Sequence, residues 1–314
     1  MHDDRPMIQL CNLRRYFGST RAVDGISFEV HRGEVFGYIG PNGAGKTTSM
    51  RILATLDMPN SGDVFVDGFS VVNDPERVRR RLGYMPDYFN AYHNVNVREY
   101  LDFFGRAYGL RGQARRDAID RTMAFTKLDG LADKPTTGLS KGMKQRLCLG
   151  RAMIHDPAVL VLDEPAAGLD PRARIQFREM VRKLAAEGKA ILISSHILTE
   201  LGEMCDKVGI IELGKLLAVG TVDQIRKQQP GKNTVQVRVL GDAAPLAQWL
   251  TARGDVDEVR TDGDAVFYVH DRDCEAEADM LRDIVAAGFR VVAFASHERS
   301  LEEVFMQVTE GKVQ

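Results

Sequence analysis

The chain has 314 residues, 44% hydrophobic and 27% charged, with 42 basic and 44 acidic side chains for a net charge of −2. This composition excludes collagen-like, mucin-like and disordered classes and suits about two domains at roughly 150 residues each. Near-neutrality excludes a global attraction to nucleic acid or an anionic membrane, but the charge is uneven: residues 233–314 hold 8 basic and 16 acidic residues, net −8, which leaves +6 for the rest.

The N-terminal stretch MHDDRPMIQL is polar and lacks the apolar run of a signal peptide. Alternation predicts strands over 7–13 and 25–30. Residues 35–39 (VFGYI) form an apolar strand that runs into a glycine-rich loop over 40–45, and helical spacing follows over 46–56. A turn at 59–62 precedes a short strand over 63–66. Residues 76–130 have the periodicity of mostly helical chain, and the basic run at 77–81 reads as a solvated helix face, not a nucleic-acid patch. A buried strand ends at Leu162, a helix spans 172–187, and a second buried strand (AILIS) spans 190–194. This order is that of an α/β domain with parallel strands.

Polar residues 227–233 (KQQPGKN) read as a linker between a domain over 1–226 and a small α+β domain over 234–314. The latter carries strands over 234–240, 265–270 and 289–295 and helices over 275–287 and 300–308. The four cysteines (Cys11, Cys148, Cys205 and Cys274) are far apart and fit reduced thiols better than a metal or redox motif. The longest apolar runs fall well short of the roughly 18 residues that span a bilayer.

Residues Gly40 to Thr47 (GPNGAGKT) fit G-x-x-x-x-G-K-[ST] between a predicted strand and helix, the context that motif requires. Its glycines let backbone N–H groups turn toward phosphate oxygens, and the helix aims its positive end at the same place. Lys46 would reach the terminal phosphates and Thr47 would hold Mg2+; Asn42, Gly43, Ala44, Gly45 and Thr48 complete the expected ATP contacts. The strand ending at Leu162 delivers Asp163 and Glu164 at its C-terminal end, where α/β sheets bind ligands. Asp163 would position Mg2+ and Glu164 would polarise an attacking water.

Between these elements lies Leu139-Ser140-Lys141-Gly142-Met143, which resembles the LSGGQ signature of ABC ATPases and places Ser140 23 residues before Asp163, as in that family. Residues 167–170 (AGLD) are similar to its D-loop, Ser194-Ser195-His196 to its switch histidine, and 83–87 (GYMPD) to its Q-loop. The resemblance covers residues 7 to about 226. It implies a P-loop NTPase fold of mixed sheet with a helical subdomain near 88–155. It implies an ATPase, with Mg2+, in which Glu164 and His196 are catalytic. Ser140, Lys141, Gly142 and Met143 would touch the ATP of a second protomer, Asp170 would lie in the D-loop, and Phe17 or Tyr16 would stack on adenine.

Two positions depart from the family pattern. Asp87 replaces the Q-loop glutamine, where it would join Thr47 and Asp163 around the metal, and Lys141 and Met143 replace a glycine and a glutamine of the signature. Both departures, and the motif Ser-Leu-Glu-Glu-Val-Phe over 300–305, are similar to single-cassette ATPases of bacterial exporters. The resemblance therefore implies a homodimer or ATPase heterodimer at the cytoplasmic membrane face, held there by separate permease subunits, with the acidic C-terminal domain regulating or contacting the dimer and no nucleic acid bound. The alternative is a non-transport ABC ATPase of translation or DNA repair. Such proteins usually carry two cassettes or coiled-coil insertions, and one P-loop with no heptads favours transport.

Overall fold

Alternating buried and exposed side chains pair β1 (Ile8–Phe17) with β2 (Thr20–Val30) in antiparallel register, Ile8 opposite Val30. The computed structural model describes residues 5–88, 94–228, 233–270, 274–297, 305 and 309. The first strands are followed by β3 (Val35–Ile39), α1 (Lys46–Leu53), β4 (Ser61–Val66), β5 (Phe69–Ser70), α2 (Pro75–Arg81) and β6 (Leu82–Met85). Next come α3 (Val97–Ala107), α4 (Gly112–Phe125), α5 (Lys141–Met153), β7 (Val159–Leu162), α6 (Pro171–Ala186), β8 (Ala190–Ser195), α7 (Leu198–Met204), β9 (Lys207–Glu212) and β10 (Lys215–Gly220). The chain divides into two compact units, one of Met1–Val222 with Val308–Gln314 and one of Asp223–Gln307.

The first unit holds two sheets. One is antiparallel in the order β2-β1-β4-β5. The other runs β10-β9-β3-β8-β7-β6, parallel except for β10. Its central strands β3, β7 and β8 are buried along their whole length, which explains their continuous apolar sequences. Leu10, Leu13 and Ile26 of the antiparallel sheet share one core with Met50, Ile52 and Leu53 of α1 and with Phe36, Val161 and Leu192 of the parallel sheet. The helix α6 packs on β3 and β8.

The helices α3, α4 and α5 bury a core of their own around Val97, Tyr100, Leu101, Ile119, Met123 and Leu147. The start of α3 is fixed by a capping box: Asn96 Oδ1 accepts from Glu99 N–H at 2.8 Å and Glu99 Oε2 accepts from Asn96 N–H at 2.9 Å. The expectation of mostly helical chain over 76–130 is corrected at Leu82–Met85, a strand that pairs in parallel with β7. Four residues are too few for a period to show, and only the sheet partner distinguishes them from a helical turn.

The second unit contains α8 (Val222–Gln228), β11 (Asn233–Val239), α9 (Ala244–Arg253), β12 (Asp257–Asp262), β13 (Ala265–His270), α10 (Cys274–Ala286) and β14 (Val291–His297). Its sheet is antiparallel in the order β12-β13-β11-β14. Val235, Val237, Leu246, Leu250, Val266, Tyr268 and Ile284 form its core, with Trp249 edge-on to Phe289. Of the residues read as a linker, Lys227 and Gln228 close α8, Asn233 opens β11, and 229–232 lie outside the described residues. The 300–308 helix and its 300–305 motif also lie outside them, except for Phe305, which is helical. Among the described residues no helix is long and apolar enough to cross a membrane.

Candidate active site

The strand β3 sits between β8 and β9 and feeds the glycine-rich loop at its C-terminal end. Two loop positions admit no side chain. A Cβ at Gly40 would lie 2.3 Å from Ile211 O, and one at Gly45 would lie 2.1 Å from Ala22 O. Gly45 also has φ 106°, a left-handed conformation that glycine adopts without strain. It caps α1 without a side-chain hydrogen bond, and no acidic residue occupies the first turn. The first N–H groups of α1 are thus uncapped by side chains and lie at the positive end of the helix.

Lys46 opens α1 with only 6% of its surface exposed. Its Nζ donates to Gly40 O at 2.5 Å and to Pro41 O at 3.2 Å, and stands 3.9 Å from Glu164 Oε1. Burial pulls the ammonium below its ordinary pKa, while Glu164 and Asp163 act to keep it charged. Ala44 is buried, whereas Asn42, Gly43 and Thr47 are exposed and Thr48 is half-buried at the rim.

The apolar strand β7 ends in Asp163 and Glu164. Asp163 N–H donates to Met85 O at 2.8 Å, which ties this end of β7 to β6. Ser194 of β8, fully buried, joins the two acids: its Oγ donates to Asp163 Oδ1 at 2.6 Å and accepts from Glu164 N–H at 2.9 Å. Glu164 has φ 46°, in the left-handed region. Its Oε2 lies 2.7 Å from His196 Nδ1, and His196 is 54% exposed at the end of β8. The structure thus brings Lys46, Asp163, Glu164 and His196 together at the C-terminal ends of β3, β7 and β8. Sequence reading missed the linking role of Ser194; the available signal was a hydroxyl at the end of an otherwise apolar strand.

Burial raises the Asp163 carboxyl above its usual pKa, the hydroxyls of Ser194 and Thr47 oppose this, and the charges of Asp87 and Glu164 add to it. Asp163 Oδ2 is buried without a hydrogen-bond partner. A buried carboxylate oxygen near a threonine hydroxyl is a donor set that suits Mg2+. Among the described residues no group of three or more His, Cys, Asp or Glu could hold a metal alone. One carboxylate oxygen and one hydroxyl leave the other positions of a Mg2+ shell to phosphate oxygens and water. Asp87 is exposed on the loop after β6.

The signature residues form a second group, with no hydrogen bond or ion pair to Lys46, Glu164 or His196 among the described residues. Ser140 caps α5, its Oγ accepting from Met143 N–H at 3.3 Å. Lys141 is exposed and lays its ammonium over Gly168, where a Cβ would meet Nζ at 2.2 Å. A Cβ on Gly142 would lie 3.2 Å from Ala173 Cβ. Asp170 caps α6, accepting from Ala173 N–H at 2.9 Å, with Pro171 in the first turn. Of the two aromatic candidates, Tyr16 is half-buried and donates to Asp24 Oδ1 at 2.8 Å. Phe17 is 48% exposed, with the Arg15 guanidinium 4.4 Å from its ring centre.

Residues 23–167 match the family described as "ABC transporter", and residues 220–309 match the "ATP-binding protein DrrA1-3-like, C-terminal domain". The chain is 35% identical to the Nod factor export ATP-binding protein I of Ralstonia nicotianae over 97% of its own length and 94% of that protein's. It is 36% identical to the protein of the same name from Burkholderia lata, over 98% of both chains. A probable multidrug ABC transporter ATP-binding protein of Escherichia coli, YbhF, is 38% identical over 71% of this chain and 38% of its own. A solved ATP-binding subunit of an ABC transporter superposes with a TM-score of 0.65 at 31% identity, over 71% of this chain and 92% of its own.

Proposed function

This chain belongs to the ATP-binding subunits of the ABC transporter family, and from that premise we propose that it hydrolyses MgATP to drive export through separate membrane subunits. Export is the activity named for its long relatives, and the membrane subunits would hold it at the membrane face. The observation that carries the reading is the convergence of Lys46, Glu164 and His196 around the glycine-rich loop, with Asp163 joined to them by Ser194.

In this reading the uncapped N–H groups of α1 and the Lys46 ammonium bind the phosphates. Charge-assisted contacts of this kind exceed neutral ones roughly twofold in strength. Lys46 leaves the Gly40 and Pro41 carbonyls to do so. Asp163 and Thr47 hold Mg2+, which when bound neutralises charge on the phosphate oxygens. Glu164 accepts the proton of the attacking water on its carboxylate, and His196 orients that carboxylate through Oε2. Phe17 offers the exposed ring for adenine.

Ser140, Lys141, Gly142 and Met143 stand apart from these groups because each would serve the nucleotide of a partner subunit. The exposed N-terminus of α5 presents its positive dipole end there. Two ATP molecules then bridge two copies head to tail, and hydrolysis releases the bridge. The test is turnover of ATP by the purified chain beside Lys46→Ala. We expect the variant to lose at least about tenfold in nucleotide affinity, since a charged phosphate contact is removed. Equal affinity for both proteins would contradict the reading.

A further inference from the structure

We propose that Ser194 is a positioning residue for ATP hydrolysis, a single hydroxyl that assigns the two acids at the end of β7 to different tasks. The inference rests on the ATPase reading above. Its geometry has three parts. Ser194 Oγ donates to Asp163 Oδ1 at 2.6 Å, so that oxygen is engaged and Oδ2 remains as the buried atom without a partner. The same Oγ accepts the Glu164 N–H at 2.9 Å. Glu164 stands at φ 46°, a backbone state that persists only where its surroundings hold it. With that backbone fixed, the Glu164 carboxylate reaches His196 Nδ1 at 2.7 Å and faces Lys46 Nζ at 3.9 Å.

Ser194 is fully buried in a strand whose preceding four residues are apolar, Ala190 to Ile193. Packing alone calls for an apolar residue at its place, and a buried hydroxyl is retained where it is hydrogen-bonded. Its two bonds go to the two residues whose orientation the chemistry needs. Removing the hydroxyl frees Asp163 to rotate and releases the Glu164 backbone from its strained state. The carboxylate that takes the water's proton is then misplaced, while the phosphate contacts of the glycine-rich loop stay intact.

The experiment uses the full chain and two substitutions of matched shape, Ser194→Thr, which keeps the hydroxyl, and Ser194→Val, which does not. We expect Ser194→Val to lower kcat for MgATP by at least about tenfold, with ATP affinity in EDTA within about twofold of the parent. Ser194→Thr should keep most of the turnover. Hydrogen exchange of peptides spanning 160–168 should show the Glu164 amide protected in the parent and in Ser194→Thr, and unprotected in Ser194→Val. Should Ser194→Val fail to fold, Ser194→Cys takes its place, because a thiol is a weak donor in nearly the same volume. Equal kcat for the threonine variant and its hydroxyl-free counterpart would overturn the proposal. So would a loss of ATP affinity as large as the loss of turnover, since that marks a purely structural role. A parent chain that neither binds nor hydrolyses ATP would instead refute the ATPase reading, and the exchange of the Glu164 amide would still judge the hydrogen bond.

Discussion

Asp87 is exposed, yet its charge is felt by two enclosed groups. Burial is the main cause of the raised pKa of Asp163 and of Tyr84, and the neighbouring carboxylates, Asp87 among them, add to it at both. We propose that Asp87 supplies an oxygen to the Mg2+ shell, directly or through water. Asp87→Ala should then leave ATP affinity nearly intact and raise the Mg2+ concentration needed for half-maximal hydrolysis by roughly three- to tenfold. Asp87→Gln should fall between the alanine variant and the parent. Hydrolysis measured against Mg2+ for the three proteins checks this, and superimposable curves would leave Asp87 with no metal role. At this scale the sequence was most informative where chemistry depends on covalent spacing. Lys46 must follow the glycine-rich loop, and Asp163 and Glu164 must leave β7 together. The hydroxyl of Ser194 was visible at the end of an apolar strand, but the link it makes was not, for the opposite reason. Its partners are 31 and 30 residues away, and only the pairing of β7 with β8 brings them within reach.

Among the elements, α1 and its loop depend on one glycine most of all. A side chain at position 45 would strike the Ala22 carbonyl and must adopt φ 106°. Gly45→Ala should therefore cost on the order of 2–4 kcal/mol in stability and abolish nucleotide binding, as denaturation and ATP titration would reveal. A second element-level test concerns the end of α5. His155 stacks on Tyr108 with ring centres 3.6 Å apart, and its Nε2 donates to Leu82 O at 3.2 Å, joining the helical core to β6. Burial pushes its pKa down to about 4 from 6.5. The unfolded chain thus binds the proton more readily than the folded one. Stability from this group is complete above about pH 6.5 and is lost as pH falls toward about 4. The loss is at most on the order of 3 kcal/mol, since one unit corresponds to 1.36 kcal/mol. His155→Gln should flatten the fall in melting temperature between pH 6.5 and 4 relative to the parent; parallel curves would exclude the linkage. Long elements with clear periods, such as β2 and α6, could be read from sequence. The short strand β6 and the polar, exposed strand β12 could not, because each is a strand by virtue of its sheet partner.

At the scale of the whole molecule, the shift in charge beyond residue 232 coincides with a change of architecture, from two sheets, one of them mainly parallel, to a single small antiparallel sheet. We propose that the residues up to Gln228, which are the first unit without Val308–Gln314 and with α8 added, are self-sufficient, because they hold the first unit's core and every candidate catalytic group. A chain ending at Gln228 should fold cooperatively and bind ATP with affinity within about threefold of the full chain, since few contacts cross such boundaries. Calorimetry and nucleotide titration check this, and an insoluble or nucleotide-blind truncation would contradict it.

From the separation of Ser140–Met143 from the catalytic cluster we propose that two copies close on ATP and that hydrolysis parts them. With Glu164 as the proton acceptor proposed above, Glu164→Gln would remove that acceptor and leave the phosphate contacts untouched, so it should bind ATP and stall before release. The decisive measurement is the mass of Glu164→Gln in solution, by light scattering on a sizing column, with MgATP and with MgADP. We expect a species of twice 34.9 kDa with MgATP and a monomer with MgADP. A variant that binds MgATP yet has the same mass in both nucleotides would contradict it.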